Sequence, residues 1–166
     1  MNNKIKLISV TGIFTAIIYV LTAYLHIPTH TGYTHIGDGA IYLVACLLPF
    51  PYAAFAAGVG AILADCLTGF AIWAPASAVI KVITVFFFSS KGQKIISVRN
   101  IGALLPSAIL CIGGYYIYEA LITGNFVAAL AGVVGYIIQS VLSSLFFILL
   151  ATCIDRTGVK KQLGGK

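Results

Sequence analysis

The chain has 166 residues, of which 60% are hydrophobic and only 8% charged, with a formal net charge of +6 and a mean hydropathy of +1.05. A soluble domain is roughly half apolar and about a quarter charged, so a soluble fold is excluded. Nine of the ten Lys and Arg residues lie at the ends or in one internal loop beside long apolar runs, a pattern that reads as membrane orientation and contact with anionic lipid rather than nucleic-acid binding.

Six apolar segments make up a single membrane domain over residues 1–166. Segment one, 7–25 behind Lys4 and Lys6, has about the ~20 residues a spanning helix needs. It outlasts the roughly 7 to 15 apolar residues of a signal peptide, and Thr22-Ala23-Tyr24 is a poor cleavage site, so it reads as a retained helix. Segment two, 37–48, opens at Gly37-Asp38-Gly39 and is short for a span, which admits a tilted or partly re-entrant helix. Pro49-Phe50-Pro51 breaks the chain there. Segment three, 52–67, is built from Ala and Gly, the small residues that let membrane helices approach closely, so it belongs inside a bundle. Segment four, 75–88, starts with a proline suited to a first helical turn. A basic loop with Lys91, Lys94 and Arg99 leads to segment five, 101–121, and segment six, 126–153.

Six spans from a cytoplasmic N-terminus put Lys4, Lys6, Lys91, Lys94, Arg99, Arg156, Lys160, Lys161 and Lys166 on the cytoplasmic side and leave the outer face without Lys or Arg. The expected fold is an all-α, six-helix membrane bundle with both termini inside the cell. Cys46, Cys66, Cys111 and Cys153 fall singly in apolar stretches without metal or redox spacing, and buried inert thiols are expected.

Apart from Asp155 in the tail, the remaining ionisable residues converge on the outer half: His26, His30 and His35 in the first loop, Asp38, Asp65 and Glu119. Lys81 stands alone inside segment four. An ammonium in mid-membrane costs about 2.5 to 3.5 kcal/mol, so it must face the bundle interior or water and take a partner. Asp65 is the nearest carboxylate by depth and Asp38 the next. Two readings stand: a structural ion pair between helices, or direct contact with a polar ligand. Asp38 likewise reads either as an N-terminal helix cap or as a ligand contact. Solvated or ligand-facing roles suit the histidines better than a metal, since an i, i+4, i+9 spacing interrupted by Pro28 and Gly32 is not a ligand set. Trp73, Phe70, Tyr115, Tyr116 and Tyr118 read as interfacial anchors or as walls for a planar ligand.

The run Thr34-His35-Ile36-Gly37-Asp38-Gly39-Ala40-Ile41-Tyr42-Leu43, then Gly58-x-Gly60-Ala61-x-x-Ala64-Asp65 and Ala74-Pro75-Ala76-x-x-x-Ile80-Lys81, resembles the S component of energy-coupling factor (ECF) vitamin transporters. It is most similar to the riboflavin-type branch, which includes pyridoxine and hydroxymethylpyrimidine carriers. The resemblance implies high-affinity capture of a vitamin or precursor outside the cell, with a pocket under the first outer loop and the loop between helices three and four. It implies a plasma-membrane location, a transmembrane T component and two ABC-type ATPases as partners. ATP would be used by those partners, with no cofactor and no metal bound by this chain, which lacks a GxxxxGK[ST] loop. Substrate contacts map to Asp38, Asp65 and Lys81, with His35 and Trp73 as weaker choices. Coupling to the T component maps to Gly12-x-x-x-Ala16, where the family often has Ala-x-x-x-Ala. A three-ring flavin wants more hydrogen-bonding groups than the outer half offers, which favours a small heterocycle such as pyridoxine or a thiamin pyrimidine precursor. A stand-alone carrier or channel and an intramembrane enzyme are the rival readings, opposed by the lack of inverted-repeat signals and of GxSxG or HExxH motifs.

Overall fold

The computed structural model describes residues 3–28, 33–158 and 160. Among them run the helices α1 (Asn3–Ala23), α2 (Gly37–Leu47), α3 (Phe50–Leu67), α4 (Ala74–Phe87), α5 (Val98–Gly102), α6 (Leu104–Thr123) and α7 (Phe126–Thr157). Four stretches are long and apolar enough to cross a membrane: α1, α3, α5 continued by α6, and α7. The other two apolar helices are shorter: α2, and α4 with the 3-10 turn Ala71–Trp73 ahead of it.

One element departs from the all-α expectation. β1 (His26–Pro28) and β2 (Tyr33–His35) form an antiparallel ribbon with His26 opposite His35 and Ile27 opposite Thr34. Aromatic and β-branched residues at Ile27, Tyr33 and Thr34 favour strand here. The pairing of His26 with His30 that a helix would have produced is replaced by this register, and His30 itself lies outside the described residues.

Proline placement explains the helix boundaries. Pro49 is the N-cap of α3, and Pro51 sits in its first turn, where an N–H would have no intrahelical partner. The break at 49–51 is therefore tighter than the sequence suggests. Segment five is divided: Pro106 cannot donate to the Gly102 carbonyl, and the chain separates into α5 and α6 at Ala103.

All eleven residues of α2 are buried, and it touches α1, α3, α4 and α7. Its length of about 16 Å is roughly half a bilayer core. A helix apolar all round is stable only when other helices wrap it, as they do here. Glycines permit the approach: a Cβ on Gly39 would stand 2.7 Å from both Phe146 Cδ1 and the Ser143 carbonyl oxygen of α7. On α3 the face Ala53, Ala56, Ala57, Gly60, Ala61 and Ala64 is buried, and a Cβ on Gly60 would come within 2.8 Å of Ile18 on α1.

Chain alternation gives the bundle two unlike ends. The hairpin end holds the β-ribbon, the Thr68–Trp73 connection and the Gly124-Asn125 turn. Lys4, Lys6, Lys91, Lys94, Arg99, Arg156 and Lys160 lie at the opposite, basic end. There Asp155 accepts the backbone N–H groups of Ile95 and Ile96 at 2.8 Å each, tying the basic loop to the end of α7. Tyr42 stacks on Phe88 at 4.9 Å and meets Phe147 edge-on at 5.9 Å, closing the core above that loop. Of the four thiols, Cys46 and Cys111 are buried, whereas Cys66 and Cys153 are exposed on the outer faces of α3 and α7. Helix rotation, which an apolar run does not reveal, decides this.

Gly39→Ala should lower the thermal unfolding midpoint in detergent by the equivalent of about 1–3 kcal/mol, the usual cost of overpacking. Gly12→Ala, where no atom lies within 4 Å of the added Cβ, should leave it unchanged or raise it slightly.

Candidate functional site

Lys81 is 2% exposed and reaches from α4 to the first turn of α2. Its Nζ lies 2.8 Å from Asp38 Oδ1 and donates to Asp38 Oδ2 at 2.9 Å. That Oδ2 also accepts Gln139 Nε2 from α7 at 2.9 Å, and Cys111 Sγ of α6 stands 3.9 Å away. Nζ sits 4.8 Å from the centroid of the Tyr115 ring on α6, a cation–π contact. One ion pair thus engages four helices.

This corrects two expectations from the sequence. The partner of Lys81 is Asp38 and not Asp65, because depth along a helix carries no information about which way a side chain faces. Asp38 does not cap α2 either. Its carboxylate is spent on Lys81 and Gln139, and the N-terminal N–H of Gly37 donates instead to His35 Nδ1 at 3.1 Å.

Asp65 faces a second polar cluster nearer the hairpin end. The Tyr33 hydroxyl donates to its Oδ1, while Oδ2 has no hydrogen-bond partner among the described residues although the residue is only 4% exposed. A buried, unpaired carboxylate oxygen is costly and marks a place where a polar ligand would be welcomed. The Ser77 and Tyr115 hydroxyls are 2.8 Å apart, Tyr115 stacks on Tyr136 at 5.3 Å, and Trp73 meets Tyr115 at 6.0 Å. These groups enclose a cavity of about 30 Å³ lined also by His35 and Gln139, room for about two waters.

Of the residues the sequence singled out, Asp65, His35, Trp73 and Tyr115 line this cavity, and Asp38 and Lys81 lie off its wall. Gln139 joins the two clusters, because it lines the cavity and bonds Asp38. Tyr33, Ser77, Tyr136 and Gln139 were missed. Two signals could have found them: Ser77 is one turn from Lys81 on the same face of α4, and Gln139 is an amide inside a membrane-length apolar run. Gly12 and Ala16 are remote from the cavity, exposed one turn apart on α1.

The β-ribbon covers the cavity. Tyr33 packs on Phe70 at 4.8 Å and on His35 at 5.5 Å. Ser143 donates to the His35 carbonyl at 3.4 Å, and Thr34 donates to the Gly135 carbonyl at 3.2 Å, fastening the ribbon to α7. Burial is the main cause that holds the His35 imidazole down to about 4; Asp38 opposes it, and Lys81 and His26 add to it. Neutral His35 can accept the Gly37 N–H, and a protonated ring cannot.

A polar cavity walled by aromatic rings inside an apolar helix bundle has the form of a ligand-binding membrane protein. A family model described as ECF-type riboflavin transporter, S component, matches residues 2–156, and the chain belongs to this family. None of the curated proteins matches the chain. Membership makes it a substrate-binding subunit for vitamin uptake, part of a transporter family and not of an enzyme family.

Lys81→Met should destabilise the protein by about 3–5 kcal/mol, because it strands a buried carboxylate. Lys81→Met combined with Asp38→Leu should recover most of that loss in thermal unfolding. A double variant no more stable than the single one would show that the pair does more than satisfy itself. The ribbon has its own pH dependence. Above the ordinary histidine value of 6.5, His35 is neutral whether or not the ribbon is docked. As pH falls from 6.5 through about 4, only the undocked ribbon takes up the proton, so docking weakens over that window. The fluorescence of Trp73, the sole tryptophan, should report the change. His35→Gln should flatten it.

Proposed function

We propose that this S component captures a small heterocyclic vitamin or vitamin precursor, of pyridoxine or hydroxymethylpyrimidine type, from outside the cell. The observation that carries the reading is the cavity itself. Trp73, Tyr115, Tyr136 and Tyr33 offer ring faces, and the orphaned Asp65 Oδ2 with Ser77, His35 and Gln139 offers several hydrogen-bonding groups. That combination suits a planar ring bearing hydroxyl or amino groups.

Its volume of about 30 Å³ lies far below the roughly 300–1,000 Å³ usual for a small-molecule site. A ligand therefore gains space by parting the walls, and the smallest heterocycles ask for the least displacement. The ribbon with Tyr33 and the Phe70–Trp73 connection are the walls held by the fewest elements. Riboflavin is the second reading, favoured by the description of the matched family. The polar lining is also richer than the sequence suggested, which weakens the hydrogen-bonding objection to a flavin and leaves size as the remaining one.

In this reading the six apolar helices cross the plasma membrane with both termini in the cytoplasm. The described Lys and Arg residues support it, because all but Lys81 lie at the basic end. A transmembrane T component and two ABC-type ATPases complete the importer, and ATP is consumed by those partners. Gly12 and Ala16 on the exposed face of α1 give the T component a small-residue surface for close helix packing.

Native mass spectrometry of the purified protein with pyridoxine, hydroxymethylpyrimidine and riboflavin in turn should give one dominant adduct, with affinity reduced about tenfold or more by Asp65→Asn, the loss of a charged hydrogen-bond acceptor. A riboflavin adduct alone would establish the second reading. A monodisperse sample that binds none of the three would overturn both. Gly12→Leu with Ala16→Leu should abolish co-purification with the T component and leave the adduct intact. Uptake into liposomes by this chain without an ATPase would instead identify a self-sufficient carrier.

A further inference from the structure

A groove of about 670 Å³ opens at the basic end, between the α2–α3 corner and the end of α4. Its floor is apolar, made by Leu48, Val85, Phe86 and Phe88. Its mouth carries Lys91 and Arg99 with the hydroxyl-bearing Ser89 and Ser90, and among the described residues no carboxylate lines it. Asp155, the acidic residue at this end, is turned to the Ile95 and Ile96 N–H groups instead.

The cations are presented by a held loop. Asn100, 1% exposed, accepts the Ser89 N–H at 2.9 Å and donates to the carbonyls of Ser89 at 3.2 Å and Ile95 at 2.9 Å. Ser97 caps α5 by accepting the Asn100 N–H at 3.2 Å. Arg99 thus stands on a fixed turn of helix facing the loop that carries Lys91. Beside it Val98 is 94% exposed, an apolar side chain pointing out where a bilayer surface would receive it.

The groove continues into the bilayer region. Val79, Ile83 and Phe86, exposed on one face of α4, run from its mouth over about 10 Å toward the membrane interior. Two exposed cations above a continuous apolar track match the chemistry of one kind of molecule: an anion carrying a hydrocarbon chain.

We propose that this groove is a binding site for an anionic glycerophospholipid, its phosphate between Lys91 and Arg99 and one acyl chain along Phe86, Ile83 and Val79. Neutral lipid gains only the apolar part. Each Lys or Arg near an anionic surface contributes about 1 kcal/mol, so two together give a preference of about tenfold or more for the anionic lipid. The site needs only that the basic end lie at a bilayer surface, and it is independent of what the cavity binds.

The test is native mass spectrometry of the protein released from micelles containing equal amounts of phosphatidylglycerol and phosphatidylcholine. Wild type should retain phosphatidylglycerol about tenfold or more over phosphatidylcholine. Lys91→Gln with Arg99→Gln should bring the ratio near one, while Lys4→Gln with Lys6→Gln, which removes as much charge from the same end, should preserve it. Phe86→Ser should lower retention of both lipids. A ratio near one in wild type, a ratio that survives Lys91→Gln with Arg99→Gln, or an equal fall in the Lys4 and Lys6 variant would each overturn the proposal. Equal binding of soluble glycerol phosphate would reduce the site to a phosphate site and overturn the lipid assignment. Loss of T-component co-purification in the Lys91 and Arg99 variant with the lipid ratio unchanged would assign the groove to that partner.

Discussion

An ammonium and a carboxylate placed in an apolar helix bundle have no alternative to each other. Separating Lys81 from Asp38 would leave two buried charges without water, a penalty of several kcal/mol per ion. This constraint fixes the rotation of α2 and α4 about their axes, since only one face of each brings the two side chains within 2.8 Å. Gln139 and Tyr115 extend the same constraint to α7 and α6. Ser77 lies one turn from Lys81 toward the hairpin end, so the rotation that satisfies the pair also turns a hydroxyl to the cavity. Asp38 lies three residues beyond His35, and holding the start of α2 in place holds the β-ribbon over that cavity. The carboxylate gains further from its place in the first turn of α2, where the helix dipole favours negative charge.

The two polar clusters differ in how fully they are satisfied. At the ion pair Asp38 Oδ2 accepts from Lys81 and Gln139, and Oδ1, which makes no hydrogen bond among the described residues, still lies 2.8 Å from the Lys81 ammonium. At the cavity, Asp65 keeps one oxygen without a hydrogen-bond partner among the described residues, and the hydroxyls of Ser77 and Tyr115 lie within hydrogen-bond distance of each other. Incomplete satisfaction in a buried place is what a binding site needs, because an already saturated group has little to gain from a ligand. Of the two readings of Lys81 that the sequence left open, the structural pair is the one that matches its place off the cavity wall.

Much of the architecture was legible because membrane helices announce themselves by length and hydropathy. Each apolar segment falls largely on helix, four of the described stretches being long and apolar enough to cross a membrane, and the Ala and Gly face of α3 packs where small residues predict. What the sequence hid was rotation and strand pairing. Asp65 has the right depth for Lys81 but faces Tyr33 instead, and Cys66, its next neighbour in sequence, faces outward. The ribbon was invisible because three-residue strands leave no periodicity to read, and Pro106 divided a segment that hydropathy joined. On α7, Tyr136 and Gln139 sat inside a run so apolar that its polar members passed as incidental. In a membrane an amide is seldom incidental, and Gln139 proves to be the group common to both clusters.

The 32-residue α7 runs the full height of the molecule. About a third of the way along it Gly135 holds the ribbon through Thr34, and near the basic end Asp155 holds the basic loop through Ile95 and Ile96. At 1.5 Å per residue the helix is about 48 Å long, so a tilt of about 5° around its midpoint would move Asp155 by roughly 2 Å and Gly135 by roughly 1 Å in the opposite direction. A rigid tilt of α7 would therefore couple the basic loop at one end of the bundle to the ribbon at the other without any helix having to bend.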